Sequence, residues 1–210
     1  MGNTTVRSVL NRAAALLNDE DYERWEQSEL LEWLNDGQRV IARGPATDVY
    51  VLRDNMEMVA GTRQSLPGDG IRLIDLPKNV STGRSILQAD YAMTNVLQSA
   101  WRSASAGEAE NYFYDERNPK EFEVFPPQAG GEVVEIIYNA EPPDVLVSGN
   151  IAIDDVFADT LIDYVVYRAL SKDNEDVAAE QTRAAQFYQQ FLVGAGMKDA
   201  TDVMIEPRRS

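Results

Sequence analysis

The chain has 210 residues, is 44% hydrophobic, and carries 35 acidic against 19 basic side chains, a net charge of −16 at pH 7. That length suits one domain or one domain carrying an insertion, and the acidity excludes holding nucleic acid by release of phosphate counterions. With neither cysteine nor histidine, disulfide frames, thiol chemistry, Ser-His-Asp triads and Cys/His zinc sites are excluded on this chain alone.

The N-terminal residues lack the charged-then-apolar layout of a signal peptide. Met1-Gly2-Asn3 opens like a myristoylation signal, but Val6 stands where Ser or Thr is needed. Asn3 or Thr4 can cap a first helix to about Asn18, with Val6, Val9, Leu10, Ala13, Ala14 and Leu17 on one face. After the polar break Asn18 to Asp21, Ser28 reads as the cap of a second helix that buries Leu30, Leu31, Leu34 and Ile41. Gly37 permits close helix contact, and Gly44-Pro45 stops the helix.

The middle of the chain reads as strands. Arg63 to Leu66 and Ile71 to Leu76 flank Pro67-Gly68-Asp69-Gly70, a hairpin signal. Ile86 to Asp90 reads as a strand, Tyr91 to Leu97 as a short helix, and Ser99 to Glu110 as a small polar stretch. Phe122 and Val124 alternate with charges in a half-buried strand ending at Pro126-Pro127, and Val133 to Tyr138 forms another. The aromatic residues Tyr112, Phe113, Tyr114, Phe122 and Phe125 suit the packing of a thin sheet better than stacking on bases.

A helix from about Asp155 to Leu170 is apolar on almost every side, and one from about Glu175 to Val193 follows it. A helix apolar nearly all round wants neighbours on several sides. No hydrophobic run has membrane-spanning length, so those neighbours are expected to be protein. Phe157, Leu161, Tyr164 and Val165, with Tyr188 and Phe191 of the second helix, are the expected oligomer interface. Asp155, Asp159 and Asp163 recur at i, i+4 and i+8. Three such carboxylates suit a hard cation or a solvated face, and without visible further ligands the solvated face is the stronger reading. No cofactor, metal or catalytic residue is assigned.

The pattern gives a mainly α fold. Its four-helix core comes from the helical pairs at residues 1–45 and 151–196, with an inserted small antiparallel β region at 46–150 and an extended arm at 197–210. In the arm, Val203-Met204-Ile205 is costly to leave in water.

The ordered set Leu10 to Ala14, Trp25, Glu29 to Gln38, Tyr114 to Pro119, Phe122, Val124, Pro126-Pro127, Asp163 to Asp173 and Phe187-Tyr188-Phe191 resembles the head-to-tail adaptor (connector) proteins of tailed bacteriophages. Arg102 departs from the pattern, standing where a histidine is common. The resemblance implies a non-enzymatic virion part at the portal–tail junction, made in the host cytoplasm. It implies a homo-oligomeric ring, usually a dodecamer, that docks beneath the portal protein, extends the DNA channel and offers attachment to a tail or nozzle protein. It further implies a portal-binding arm holding Val203, Met204, Ile205, Arg208 and Arg209, non-specific proximity to moving duplex DNA, and no membrane partner. Asp155, Asp159 and Asp163 would then face the lumen or solvent. Readings from other classes are a carboxylate-metal hydrolase or nuclease acting through those aspartates, and an assembly chaperone absent from the particle.

Overall fold

In a computed structural model, residues 3–45, 49–172 and 178–197 are described, the side chains of residues 178 and 179 excepted. The chain divides into two compact units, one of Met1–Tyr50 with Pro142–Ser210 and one of Val51–Glu141.

The first unit is helical. Helix α1 (Val6–Leu17) buries the face expected of it, and the Thr5 side chain accepts from the Ser8 N–H. Asn18 closes it in the left-handed conformation, φ 55°. In the loop that follows, the Asp19 carboxylate accepts the backbone N–H groups of Glu23, Arg24 and Trp25 and seats Trp25 in the core. Helix α2 (Gln27–Arg43) starts one residue before Ser28; Glu26 holds the cap position without a side-chain bond. Gly37 is needed where α2 meets α4 (Ala158–Lys172): a Cβ there would stand 2.9 Å from the Tyr164 ring and 3.1 Å from Leu161 Cδ2.

Helix α4 is the axis of this unit, with α1, α2 and α5 (Ala178–Gly194) each packed on it. Leu161, Val165, Val166 and Ala169 are fully buried. The irregular chain leading to α4 is held by two buried polar side chains of α2. Asn35 exchanges hydrogen bonds with the Val145 backbone, and Gln38 accepts from the Ala152 N–H at 2.6 Å. Buried backbone without a ladder partner needs such substitutes.

The second unit is built of sheet. Strands β1 (Val51–Glu57), β3 (Gly70–Asn79) and β7 (Val133–Ala140) form one sheet in the order β1-β7-β3. Strands β2 (Gly61–Ser65), β4 (Leu87–Gln88), β5 (Asn111–Tyr114) and β6 (Glu121–Gln128) form the other, in the order β2-β6-β5-β4. Short helix α3 (Tyr91–Leu97) follows β4. Tyrosine hydroxyls join the sheets: Tyr112 donates to Asp75, and Tyr114 accepts from the Leu73 N–H.

Two expectations are corrected. The chain is not mainly α with a four-helix core: the described residues form seven strands in two sheets, 25% of the chain against 39% helix. Within the helical unit α5 lies against α4 rather than entering a core shared by four helices, and it leaves Tyr188 37% and Val193 78% exposed. The turn at Pro67 to Gly70 does not close a hairpin either, because β2 pairs with β6 while β3 pairs with β7. The turn residues bend the chain as their type demands, but here the bend carries it from one sheet to the other.

Candidate docking surfaces

The apolar residues expected at an oligomer interface are mostly committed within the helical unit. Leu161 and Val165 are 0% exposed, Phe191 1% and Tyr164 7%, so their contact area is spent on α1, α2 and α5. Tyr188 keeps 37% of its surface and Phe157 is half-buried.

Between α4 and α5 these rings border an open groove of about 310 Å³, with Val40, Tyr167, Leu192 and Met197 on its walls. Tyr164 and Phe191 lie 4.8 Å apart between ring centres, and Tyr167 and Tyr188 lie 4.7 Å apart. At the rim Arg168 donates to the Tyr164 hydroxyl at 3.0 Å and pairs with Asp36 at 3.5 Å.

The three aspartates are not equivalent. Asp155 precedes α4 in a short 3-10 turn, Asp155–Phe157. Its carboxylate accepts the Asn3 and Thr4 N–H groups at 2.8 and 2.7 Å, and the Asn3 bond leads in holding its pKa below the usual range. Asp159 pairs with Arg12 at 2.8 Å on the surface. Asp163 is half-buried; burial, seconded by the Asp159 charge, pushes its pKa up to about 6. The stripe is therefore a tie to the backbone ahead of α1, an exposed ion pair and a carboxyl reluctant to ionise. Among the described residues no group of three or more acidic side chains is placed to hold a metal ion. Val203, Met204, Ile205, Arg208 and Arg209 lie outside the described residues.

The sheet unit holds a cluster with little warning in the sequence. The Arg102 guanidinium stacks 4.2 Å from the Trp101 ring centre and 5.0 Å from that of Tyr91. It also donates to Glu123 at 2.9 Å and to the Tyr91 hydroxyl. Tyr91 donates to Glu123 at 2.5 Å, and the Trp101 indole N–H donates to Asn95 at 2.9 Å. Phe113 lies 4.7 Å from Trp101 between ring centres. Burial works to raise the Glu123 pKa, but the bonds from Arg102 and Tyr91 outweigh it and hold the carboxylate below its usual range.

This cluster fastens α3, which has no buried residue. Met93, Val96 and Leu97 are 64, 82 and 72% exposed, beside Leu87 at 63%. Apolar surface gathered in this way marks a contact site more often than a solvated face. Trp101 and Arg102 were visible as residues, but Glu123, the carboxylate partner of Arg102, is 21 positions away on β6, with no local pattern to announce it.

Next to the cluster, a polar cleft of about 920 Å³ is lined by Asp90, Tyr91, Tyr114, Arg117, Glu121 and Glu123, among others. Arg117 is paired with Asp115. The bond from Tyr91 to Glu123 in this cleft raises the tyrosine pKa, the opposite of what activates a nucleophile. No helix among the described residues is long and apolar enough to cross a membrane.

A family model described as SU10 adaptor protein matches residues 4–209 of the chain. A search of curated proteins found no match.

Proposed function

The chain belongs to the SU10 adaptor protein family, a family of phage head-to-tail adaptors, and on that premise we propose that it forms a ring beneath the portal of a tailed phage and gives the tail its seat. The observation that carries this reading is the span of the match, residues 4–209, which takes in both units and the segment after Met197. A dodecamer is the stoichiometry the reading favours. The ring would continue the DNA channel through packaging and ejection, and the finished virion would retain it.

The physics of the chain supports such a part. Duplex DNA carries about one negative charge per 1.7 Å of axis, and a subunit of net charge −16 offers it few sticking points. The lumen is accordingly acidic, with Asp159 and Asp163 candidates to face it. The exposed apolar residues of α3, held in place by the Arg102 cluster, offer an attachment surface for a protein partner. The segment holding Val203, Met204, Ile205, Arg208 and Arg209 is the portal-binding arm.

The test is imaging the purified chain with its portal by negative stain and mass photometry. A closed ring on the portal is the expected result; a portal that stays bare would overturn the reading. Deleting residues 198–210 should weaken portal capture while leaving the helical content of the subunit unchanged.

A further inference from the structure

The groove between α4 and α5 has an aromatic wall and no occupant among the described residues. Its lip is built by the end of α5. The Ala195, Gly196 and Met197 N–H groups donate to the Phe191, Val193 and Leu192 carbonyls, and Gly196 takes φ 67°. Such an αL closure turns the chain out of the helix direction and back across its last turn. Met197 is thereby laid on the groove wall, with its methyl group so near Gly44 that a Cβ there would stand 2.7 Å from it. The chain leaves the described residues at the groove itself.

The next residues are Lys198-Asp199-Ala200-Thr201-Asp202, and then come the three adjacent apolar residues Val203-Met204-Ile205. Six residue steps from Met197 reach at most about 20 Å, enough to turn and return to the groove. The groove, about 310 Å³, takes aliphatic side chains and is small for a folded partner. Asp202 and Glu206 flank the triplet, and the Arg168 guanidinium stands at the groove rim, where its bond to Tyr164 and its pairing with Asp36 both run through Nη1. Aliphatic side chains suit aromatic walls, and acids beside them in sequence suit an arginine at the rim.

We propose that in the free subunit this groove seats the chain's own Val203-Met204-Ile205, held by Tyr167, Tyr188, Phe191 and Leu192. The groove is then an internal resting place for the arm. Portal docking, which rests on the adaptor reading above, would draw the arm out of it.

The chain has no cysteine, so introduced pairs report without interference. Leu192→Cys combined with Met204→Cys should oxidise to an intramolecular disulfide in the dilute free subunit. It should form at least fivefold faster than the pairs of Leu192→Cys with Ala200→Cys or Arg209→Cys. Changing Val203 and Ile205 to Ser in the first pair should bring its rate down to that of the other two. All three pairs share Leu192→Cys, so any effect of that change on the fold is common to them and does not alter their ranking. Equal rates at all three positions, or disulfides only between two chains, would overturn the proposal. Portal capture by the unmodified chain is measured separately, so failure of the groove assignment and failure of the adaptor reading are distinguishable.

Discussion

Asp163 in the helical unit and Glu123 in the sheet unit are both partly buried carboxyl groups, and their surroundings treat them in opposite ways. Around Asp163 burial acts first and the charge of another aspartate, Asp159, second; the carboxyl resists ionisation. Around Glu123 an arginine and a tyrosine hydroxyl are in place, and the carboxylate is held ionised. The helical unit is thus organised by apolar packing on one central helix. The sheet unit fastens an exposed helix with a charged cross-link, and that helix keeps an apolar surface in solvent.

Shaving the packing gives the largest effect. Leu161→Ala should cost about 3 kcal/mol in urea unfolding of the helical unit, the usual range for a buried leucine. Trp101 fluorescence, in a variant with Trp25 and Trp33 replaced by Phe, should report the sheet unit as little changed. Loss of the Trp101 signal in step with the helices would erase the distinction between the units.

Breaking the cross-link comes next. Arg102→Ala should cost the sheet unit about 1–2 kcal/mol, allowing for the solvent that still reaches the guanidinium. Amide exchange should quicken in α3 and stay unchanged in α4.

The pH dependence separates the two acids by sign. Asp163 has a raised folded-state pKa, so the folded state binds more protons between its ordinary pKa and about 6. Its penalty is absent below the ordinary carboxylate pKa, grows as pH rises through that window, and is complete above it. Asp163→Asn should therefore raise stability by about 1 kcal/mol at pH 7.5, after discounting for solvent access, and by nothing near pH 3. Glu123, held low, contributes stability that is present above its ordinary pKa and lost as pH falls through the depressed folded value. Glu123→Gln should hence cost stability at pH 7.5 and lose that effect in acid. Parallel pH profiles for the two variants would refute the assignment.

The smallest effect on stability, within about 0.5 kcal/mol, is expected of Val96→Ser with Leu97→Ser, because these side chains are already in water. The same pair should weaken ring or tail association in a pull-down, and unchanged association would remove α3 from the attachment surface.

What the sequence made legible follows the range of the forces involved. The face of α1 was readable to the residue, since helical periodicity is a local property, and Gly37 was readable as a close-contact position. Strand positions near Phe122, Val124 and Val133 to Tyr138 were readable from alternation. Strand partners were not, because Pro67 to Gly70 has the same chemistry whether it folds a hairpin or passes between sheets. Helix α3 was visible as a helix, but its exposure depends on what the rest of the unit declines to cover. Residues 155–157 continue the apolar run of α4 in sequence, yet the Asp154 side chain accepting the Val156 N–H sets a turn there first. The Arg102–Glu123 pair and the groove join distant residues and leave no local trace.

The order in which the chain is made gives the dependence of α1 and α2 on α4 a further consequence. Both early helices bury their apolar faces against a helix that is translated roughly 130 to 150 residues later, a wait of about 7–30 s at ordinary elongation rates. The Val51–Glu141 unit is synthesised whole within that interval, and its first strand finds its partner when β7 leaves the ribosome. A nascent chain stalled once Glu141 has cleared the ribosome, with α4 still enclosed, would therefore carry a finished sheet unit and two helices still waiting to fold, and that is the stage at which chaperones at the ribosome would find the apolar faces of α1 and α2 open.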